Sequence, residues 1–395
     1  MFNHTLKLMW NKKGKHFFFF IEILIIFFVL TMTVLYSIDH LKNYFVPIGY
    51  ETENLYRFQG DFEPIEDSLQ LANIKERITQ EAKEINDIES MSWISYAAPF
   101  SGNNWGIGNN DFGFYFHSTF MIGDENIAQT LGLNITEGRN FTKDDYKDKY
   151  IPVIMNKKSY NLIVKAVGHE MLDSIFNNHN DFHIIGIVDH FKQNSEFEDE
   201  HNYFIALDHK NFIKNRSDVL TNLLIKTKPN ADPSFQSKLN TIYQDIARIN
   251  DLFISDINES RQHDSASYWI LLSSVGIIAL FLLINISLGL IGILSYNISQ
   301  RKPEIGLRKA LGATTGKIVG QFVGEVMLVA GIALFLGLII ILQLPYVTDF
   351  QFEKKDLYIA TAISLAFIVI LLLLSSITPS LRGARIEPSN ALHEE

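Results

Sequence analysis

The 395-residue sequence contains no cysteine. Disulfide bonds and thiol catalysis are therefore excluded, but the compartment stays open because many exported proteins also lack cysteine. Acidic residues are missing from residues 1–16, which carry four lysines. A long apolar run is missing from residues 39–267, so this stretch is expected to form a water-soluble domain.

Apolar residues are instead concentrated in four blocks, at residues 17–38, 269–294, 322–344 and 357–377. Each block has about 20 residues or more, which is enough for a helix to cross ~30 Å of hydrocarbon. The mean hydropathy of +0.08 is high for a chain with 20% charged residues, as expected when apolar blocks are set into a polar sequence. The sequence therefore predicts four transmembrane helices.

The distribution of charge predicts how these helices are oriented. Residues 1–16 and the segment between the second and third blocks are basic, and the tail carries Arg382 and Arg385 soon after the fourth block. Short basic loops stay in the cytoplasm, so these segments and both termini are expected on the cytoplasmic side. Residues 39–267 contain 21 Lys and Arg against 35 Asp and Glu, a net charge of −14. This acidic domain is expected outside the cytoplasm, and its charge argues against a nucleic-acid partner.

The first apolar block is interpreted as an uncleaved anchor. A cleaved signal peptide is the alternative, since the basic flank fits one, but the block is too long and no small-residue cleavage site follows it. Several apolar residues of the flank fall on one helical face, which favours a short helix on the inner membrane surface over an ordered stub. These residues are Phe2, Leu6, Met9 and Trp10.

The domain between the first two blocks mixes helical and strand patterns. Without a strict strand–helix–strand repeat, this mixture predicts an α+β domain. An acidic, polar loop is expected at residues 193–201. Helices are predicted at residues 65–87, 126–133 and 233–248. Strands are predicted at residues 92–98, 112–121, 151–155, 183–188, 223–227 and 252–257.

Residues 300–314 (QRKPEIGLRKALGAT) form the most informative part of the second cytoplasmic segment. Pro303 suits the first turn of a helix, and Gly312 can end one. Glu304 and Arg308 have the i, i+4 spacing of a helical ion pair. An apolar stripe on the same helix consists of Leu307, Ala310 and Leu311. Such a helix could act as a lever for a cytoplasmic partner, whereas the alternative is a basic loop that only fixes the topology.

This run resembles the cytoplasmic segment of MacB/FtsX-type permeases, whose pattern is roughly R-x-x-E-I-G-[LI]-[RK]-[KR]-[AS]-[LI]-G-A. Pro303 departs from the residues expected there. By this resemblance, ten residues are assigned to coupling with an ATPase. They are Arg301, Glu304, Ile305, Gly306, Leu307, Arg308, Lys309, Ala310, Leu311 and Gly312, and Ala313 also matches the pattern.

Three further segments carry the same resemblance. Residues 131–141 (LGLNITEGRNF) resemble the family's L-G-x5-G-R-x-F stretch. Residues 184–191 (IIGIVDHF) resemble its strand and turn, with His190 where the family has an acid. Residues 379–392 (PSLRGARIEPSNAL) resemble its ending, with Gly383 inserted. The four segments lie far apart and in the family's order, so the resemblance covers nearly the whole chain.

The resemblance implies a permease subunit that works as a dimer with a separate ABC ATPase of the MacB/FtsE/LolD type. That partner would bind ATP and Mg, and no cofactor or metal is expected in this chain. ATP binding would close the ATPases, and residues 304–311 would transmit the motion to the outer domains. The output would be export or efflux from the periplasmic side, or regulation of a cell-wall hydrolase. A periplasmic adaptor or hydrolase is a further candidate partner.

The sequence gives less support to an enzymatic function. Residues 312–317 (GATTGK) resemble a phosphate loop, but the spacing is one residue short and no Ser or Thr follows Lys317. The histidines of the outer domain show no metal-ligand spacing. A membrane-anchored enzyme is the remaining alternative, and it would leave the segment at 304–313 unexplained. The chain is therefore expected to be a transport subunit and not an enzyme.

The predicted fold class is an integral membrane α-helical protein with four transmembrane helices and a large α+β extracytoplasmic domain between helices 1 and 2. Its expected location is the bacterial cytoplasmic (inner) membrane. The predicted segments are an interfacial helix (1–16), transmembrane helix 1 (17–38), a MacB-like periplasmic core domain (39–267), transmembrane helix 2 (268–295), a coupling segment (296–321), transmembrane helix 3 (322–344), an outer loop (345–356), transmembrane helix 4 (357–377) and a cytoplasmic tail (378–395).

Overall fold

The computed structural model describes residues 13–62, 67–95, 97–103, 105–109, 116–168, 182–209, 220–347 and 352–385. The chain divides into a helical unit, Met1–Leu41 with Trp269–Glu395, and a mixed unit, Lys42–Tyr268. Most of the predicted interfacial helix, part of the outer loop and the end of the tail lie outside the described residues.

The helices and strands are numbered in chain order. The helices are α1 (Lys13–Tyr44), α2 (Ser68–Lys83), α3 (Ile127–Thr130), α4 (Lys157–Val167), α5 (Ser234–Ala247), α6 (Ile257–Gln300), α7 (Lys302–Ala310), α8 (Thr315–Val347) and α9 (Lys354–Ala384), with a 3₁₀ helix at Lys143–Lys147. The strands are β1 (Leu55–Gln59), β2 (Ile88–Ile94), β3 (Trp105–Asn109), β4 (Phe116–Gly123), β5 (Ile135–Gly138), β6 (Ile151–Asn156), β7 (Phe182–Val188), β8 (Tyr203–Leu207), β9 (Asn222–Thr227) and β10 (Phe253–Asp256).

Within the described residues, four helices are long and apolar enough to cross a membrane: α1, α6, α8 and α9. Their inward faces form one apolar cluster that includes Phe27, Ile286 and Ala333. Large apolar side chains also cover their outward faces, for example Phe281 and Phe335, which are 63% and 62% exposed. A helix that is apolar on all sides belongs in a protein core or a membrane. The chain is therefore a multi-pass membrane protein.

All four of these helices are longer than their apolar blocks, and two of them extend into the mixed unit. Helix α1 continues to Tyr44, and α6 already begins at Ile257. The added turns carry charged residues such as Lys42 and Arg261. A helix boundary predicted from hydropathy alone therefore leaves these turns out. At the start of α6, the Asp256 carboxylate accepts hydrogen bonds from the backbone N–H groups of residues 258 and 259.

The mixed unit is built on one sheet. In the described part of the chain its ten strands follow the order β10-β1-β9-β2-β4-β8-β6-β7-β5, and β3 pairs with β4. The β4–β8 and β6–β7 pairs are parallel, and the other pairs are antiparallel. Alternate residues of β8 enter different apolar clusters: Phe204 enters one, and Tyr203 and Ile205 enter the other. Both faces of the sheet are therefore covered, which confirms the predicted α+β architecture.

Several predicted boundaries need correction. The helix predicted at 126–133 is only the four-residue α3, because Gly132 adopts a φ of +63° and its N–H bonds to the Gln129 carbonyl. The helix predicted at 65–87 is shorter, because the Asp67 side chain caps it at Leu69 N. The strand predicted at 92–98 starts and ends earlier, at Ile88–Ile94. Part of the strand predicted at 112–121 lies outside the described residues.

Among the described residues of the mixed unit, four strands, one α-helix and the 3₁₀ helix were not predicted; the strands are β1, β3, β5 and β8, and the α-helix is α4. Strand β1 lies between β9 and β10, with Arg57 buried at 6% exposure. An arginine in a short segment hides the strand pattern, although its stem can pack against apolar surface. Strand β8 is a continuous apolar run of five residues, and periodicity does not distinguish such a run from a buried helix segment.

Candidate functional site: the segment between α6 and α8

Seven of the ten predicted coupling residues lie in the short helix α7, and the other three adjoin it: Arg301 precedes it, and Leu311 and Gly312 follow it. Lys302 and Pro303 begin it, one residue earlier than predicted, with proline in the first turn where its missing N–H is not needed. At the other end Gly312 has a φ of +89°. Gly312 N donates to the Lys309 carbonyl and Ala313 N to the Arg308 carbonyl, both at 2.9 Å. These two bonds form the Schellman motif that glycine favours at a helix end.

One side of α7 is fixed to α8 by polar side chains. Arg301 Nη1 donates to both Glu325 carboxylate oxygens, at 2.9 and 3.1 Å. Gln321 Nε2 donates to the same Glu325 at 3.2 Å and accepts a hydrogen bond from Arg308. Arg308 Nη2 also lies 2.5 Å from Glu304 Oε1, which confirms the predicted i, i+4 pair. The five side chains form one connected network.

The apolar residues of α7 divide between two sides. Ile305 is 3% exposed and belongs to the apolar cluster of the helical unit, and Gly306 is also buried. The predicted stripe lies on the surface instead: Leu307 is 55% and Leu311 is 80% exposed, and Ala310 beside them is exposed as well. An exposed group of large apolar side chains on a rigidly held helix is a typical protein-binding surface.

The GATTGK run lies between two helices. Gly312 closes α7, and Thr314 precedes α8, whose Lys317 N–H points to the Thr314 hydroxyl at 3.4 Å. The segment thus follows a helix, whereas a phosphate loop follows a strand. Among the described residues, no three His, Asp or Glu side chains are grouped as a metal ion requires.

A second arrangement was missed from the sequence. Residues 192–198 are largely buried in the mixed unit and are called the clamp loop here. All of them except Lys192 belong to the acidic, polar loop predicted at residues 193–201. Lys192 is 3% exposed, and its ammonium group donates to the carbonyl oxygens of Asn43 and Glu196. Burial lowers the pKa of Lys192, whereas nearby carboxylates, Glu200 foremost, raise it. This loop therefore holds the last turn of α1.

The clamp loop also holds the first turns of α6. Arg261 donates from Nε and Nη2 to Glu196 Oε1, at 2.9 and 2.6 Å. The Phe197 ring, 1% exposed, stacks on Tyr44 and on Tyr268, with centroids 4.9 and 5.1 Å apart. One loop thus contacts the residues at which the chain enters and leaves the mixed unit. The acidic composition of residues 193–201 gave no indication of this burial.

Comparison with known proteins identifies the family. The protein-family model of the MacB-like periplasmic core domain matches residues 22–242, more than half of the chain. The model described as the FtsX-like permease C-terminal domain matches residues 276–388. The chain belongs to the MacB/FtsX-type ABC permease family. The predicted family is therefore confirmed.

Individual relatives of this permease are distant. The macrolide export ATP-binding/permease protein MacB of Neisseria meningitidis is 22% identical over 325 residues, which cover 78% of this chain and 48% of that protein. MacB 2 of Yersinia pestis is 30% identical over 153 residues, which cover 37% of this chain and 22% of that protein. The uncharacterized ABC transporter permease YvrN of Bacillus subtilis is 22% identical, with 69% of each chain covered. The permease thus spans less than half the length of the macrolide exporters that it matches.

Two solved structures of outer domains are also similar. The periplasmic region of MacB from Actinobacillus actinomycetemcomitans is 15% identical, with a TM-score of 0.34, and the match covers 54% of this chain and 94% of that one. The extracellular domain of the ABC-type transporter YknZ is 10% identical, with a TM-score of 0.34, and the match covers 51% and 100%.

Two of the family-like segments of this permease meet in the sheet. Gly138 of residues 131–141 pairs with Gly186 of residues 184–191. Gly138 has a φ of +82°, and a Cβ there would lie 2.1 Å from the Ile185 carbonyl oxygen. A side chain is therefore excluded where the two strands approach each other.

The arginine of the same segment has a structural partner. Arg139 donates to both Asp145 carboxylate oxygens, at 2.8 and 2.6 Å, and Thr142 N donates to Asp145 at 2.7 Å. These hydrogen bonds, that of Arg139 first, lower the pKa of Asp145. The segment thus fixes a turn of the domain. Near the other end of the chain, a Cβ at the inserted Gly383 would lie 2.5 Å from the Ile298 side chain, so this glycine allows α9 and α6 to approach closely.

Proposed function

We propose that this permease couples a separate ABC ATPase to its large outer domain, and that the ATPase binds the exposed apolar face of α7. The observation that carries the proposal is the two-sided character of α7. One side is fixed by the network from Arg301 to Glu325, and the other exposes Leu307 and Leu311. A helix held in this way can pass on a displacement, because its anchored side does not yield independently.

The orientation is part of the proposal. Basic residues flank α7, and the domain of residues 39–267 has a net charge of −14. The positive-inside rule then places α7 and both termini in the cytoplasm and the mixed unit outside the inner membrane. ATP and Mg would be bound by the partner ATPase. A second permease chain would complete the assembly, as the family resemblance implies.

The direct test is purification of the tagged, full-length permease from its native membrane, followed by mass spectrometry. An ABC ATPase is expected among the proteins retained. A matched preparation of Leu307→Asp, brought to the same membrane level, should lose that protein and keep contaminants. If no ABC ATPase is enriched from native membranes with wild type, the coupling proposal fails.

A further inference from the structure

A buried arginine of the mixed unit has no charged partner. Arg57 of β1 is 6% exposed, and it forms no ion pair or hydrogen bond with any residue that the structure describes. Burial lowers the pKa of Arg57, with no opposing effect from a nearby carboxylate. A buried charge is costly when it is left unpaired, so this guanidinium group indicates a missing anionic partner.

The guanidinium group extends toward β10, which forms one end of the sheet. Arg57 lies opposite Ser255 of β10, and its Cζ lies 5.7 Å from the centroid of the Phe253 ring. The Ser255 hydroxyl lies 3.1 Å from that of Ser260. Arg57 Nε is fully buried, whereas Nη1 and Nη2, which also lack a described partner, keep accessible surface. The charged end of Arg57 can therefore be reached beside Phe253.

Strand β10 is open on its other side. Within the described residues, no strand pairs with the outer edge of β10. The Phe253 ring at this edge is 58% exposed. A groove of about 520 Å³ is lined by residues 250–254 and by Gln236, Ser237 and Asn240 of α5. An open edge presents backbone N–H and C=O groups with which another strand can pair.

The spacing of a sheet allows a side chain of an added strand to reach Arg57. Neighbouring strands lie ~4.8 Å apart, so a strand added at β10 would lie ~9.6 Å from β1. Ser255 stands between them, and because it is small, an arginine and a carboxylate side chain can meet across it. Such a pair forms charged, often bidentate hydrogen bonds. A residue two positions along the added strand would lie on the same face and could cover Phe253.

We propose that the outer edge of β10 binds an extended segment of an extracytoplasmic protein by strand addition. The segment carries a carboxylate that pairs with Arg57 and an apolar residue that covers Phe253. Backbone hydrogen bonds to β10 supply affinity, and the two side-chain contacts supply specificity. This inference goes beyond the coupling proposal, because strand addition requires no ATPase.

The first step of the test is photo-crosslinking in native cells with the full-length permease that carries Ser237→p-benzoylphenylalanine. Ser237 is exposed and lines the groove beside β10. Illumination should give an adduct with one extracytoplasmic protein, and mass spectrometry should place the crosslink in a segment that contains Asp or Glu. The proposal is overturned by the absence of an adduct, by an adduct with a second copy of the permease, or by a segment without a carboxylate.

The second step measures how tightly that segment, as a synthetic peptide, binds the permease in nanodiscs. Arg57→Met keeps an apolar stem and removes the charge, so binding should weaken by at least about tenfold. Changing the peptide carboxylate to its amide should weaken binding to wild type but add little in Arg57→Met, as expected for two groups in contact. The matched control, Arg77→Met on the exposed surface of α2, should change the affinity less than about twofold.

Stability separates this role of Arg57 from a structural one. Arg57→Met removes an unpaired buried charge, so the unfolding midpoint of the permease without peptide should stay the same or rise. A clearly lower midpoint would mean that Arg57 already has a partner within the fold. Equal peptide affinity of wild type and Arg57→Met would mean that Arg57 does not contact the segment. Either result overturns the proposal.

Discussion

Arg301 Nη1 donates to both carboxylate oxygens of Glu325, and this ion pair connects the residue before α7 to the third turn of α8. Each side chain is 17% exposed, so water screens this pair less than a pair on the surface. The pair fixes the position of α7, while Leu307 on its other side stays free for a partner.

Reversing this pair tests whether it positions α7. Arg301→Glu should remove about 1–3 kcal/mol of charged hydrogen bonding and place two carboxylates side by side. We expect most ATPase capture to be lost at normal membrane levels. The double variant Arg301→Glu/Glu325→Arg should recover at least about half of it by restoring opposite charges. Capture that stays lost in the double variant would mean that Arg301 contacts the ATPase itself.

The clamp loop gives a prediction for the mixed unit. Phe197→Ala removes a ring that is 1% exposed and stacked between Tyr44 and Tyr268. Such a truncation costs about 3–5 kcal/mol. Hydrogen exchange should become faster in residues 258–268, with less change in α5. The control, Phe253→Ala, truncates a ring that is 58% exposed and should leave exchange in 258–268 unchanged. Equal protection in Phe197→Ala and wild type would contradict the clamp.

The close approach of the two strands at Gly138 predicts that alanine is tolerated less well there than at Gly102. Gly138 and Gly102 both have positive φ, at +82° and +71°. Gly102 faces open space, whereas a Cβ at Gly138 meets a carbonyl oxygen at 2.1 Å. Gly102→Ala should cost about 1–2 kcal/mol from backbone strain. Gly138→Ala should cost clearly more, as a lower unfolding midpoint of the full chain in detergent. Equal midpoints would contradict the close approach.

The helices of the helical unit could be predicted because local sequence determines them. A run of about 20 apolar residues has one stable solution in a membrane, and the spacing of Glu304 and Arg308 fixes their contact within one helix. What the sequence did not show is which side of α7 is anchored. That depends on Glu325 and Gln321, which belong to the next apolar helix and became visible only through their contacts.

The mixed unit was harder to predict because its contacts are distant in sequence. Lys192 and Glu196 look like surface residues, but their partners lie at Asn43 and Arg261. A buried charge is tolerated when it is paired or hydrogen-bonded, and composition does not reveal such partners. Gly138 and Gly186 belong to segments that the sequence analysis singled out, but only the structure shows that they pair across the sheet.

Membrane topology is tested with single cysteines in this cysteine-free chain. Ser237 of the mixed unit and Ser299 at the end of α6 are exposed and suit this substitution, whereas a buried serine such as Ser195, which is 3% exposed, does not. An impermeant thiol reagent added to intact spheroplasts should label Ser237→Cys and spare Ser299→Cys. After permeabilisation both should react, which controls for accessibility. If Ser299→Cys alone were labelled in intact spheroplasts, the orientation would be the opposite of the one proposed.

The exposed stripe of α7 carries the central claim. Leu307→Asp places a charge where the ATPase is proposed to bury an apolar side chain. Burying an unpaired charge costs several kcal/mol, and each ~1.4 kcal/mol is a factor of ten in affinity. Glu304→Ala should have a smaller effect, because an exposed helical pair contributes only ~0.2–0.5 kcal/mol. Leu69→Asp is the matched control, since Leu69 is 75% exposed but lies in the mixed unit.

The most direct measurement is therefore capture of the ATPase by wild type, Leu307→Asp, Glu304→Ala and Leu69→Asp, normalised to the amount of permease in the membrane. We predict at least about tenfold lower capture for Leu307→Asp, a smaller decrease for Glu304→Ala and no change for Leu69→Asp. Full capture by a Leu307→Asp permease that reaches the membrane normally would show that α7 is not the coupling element.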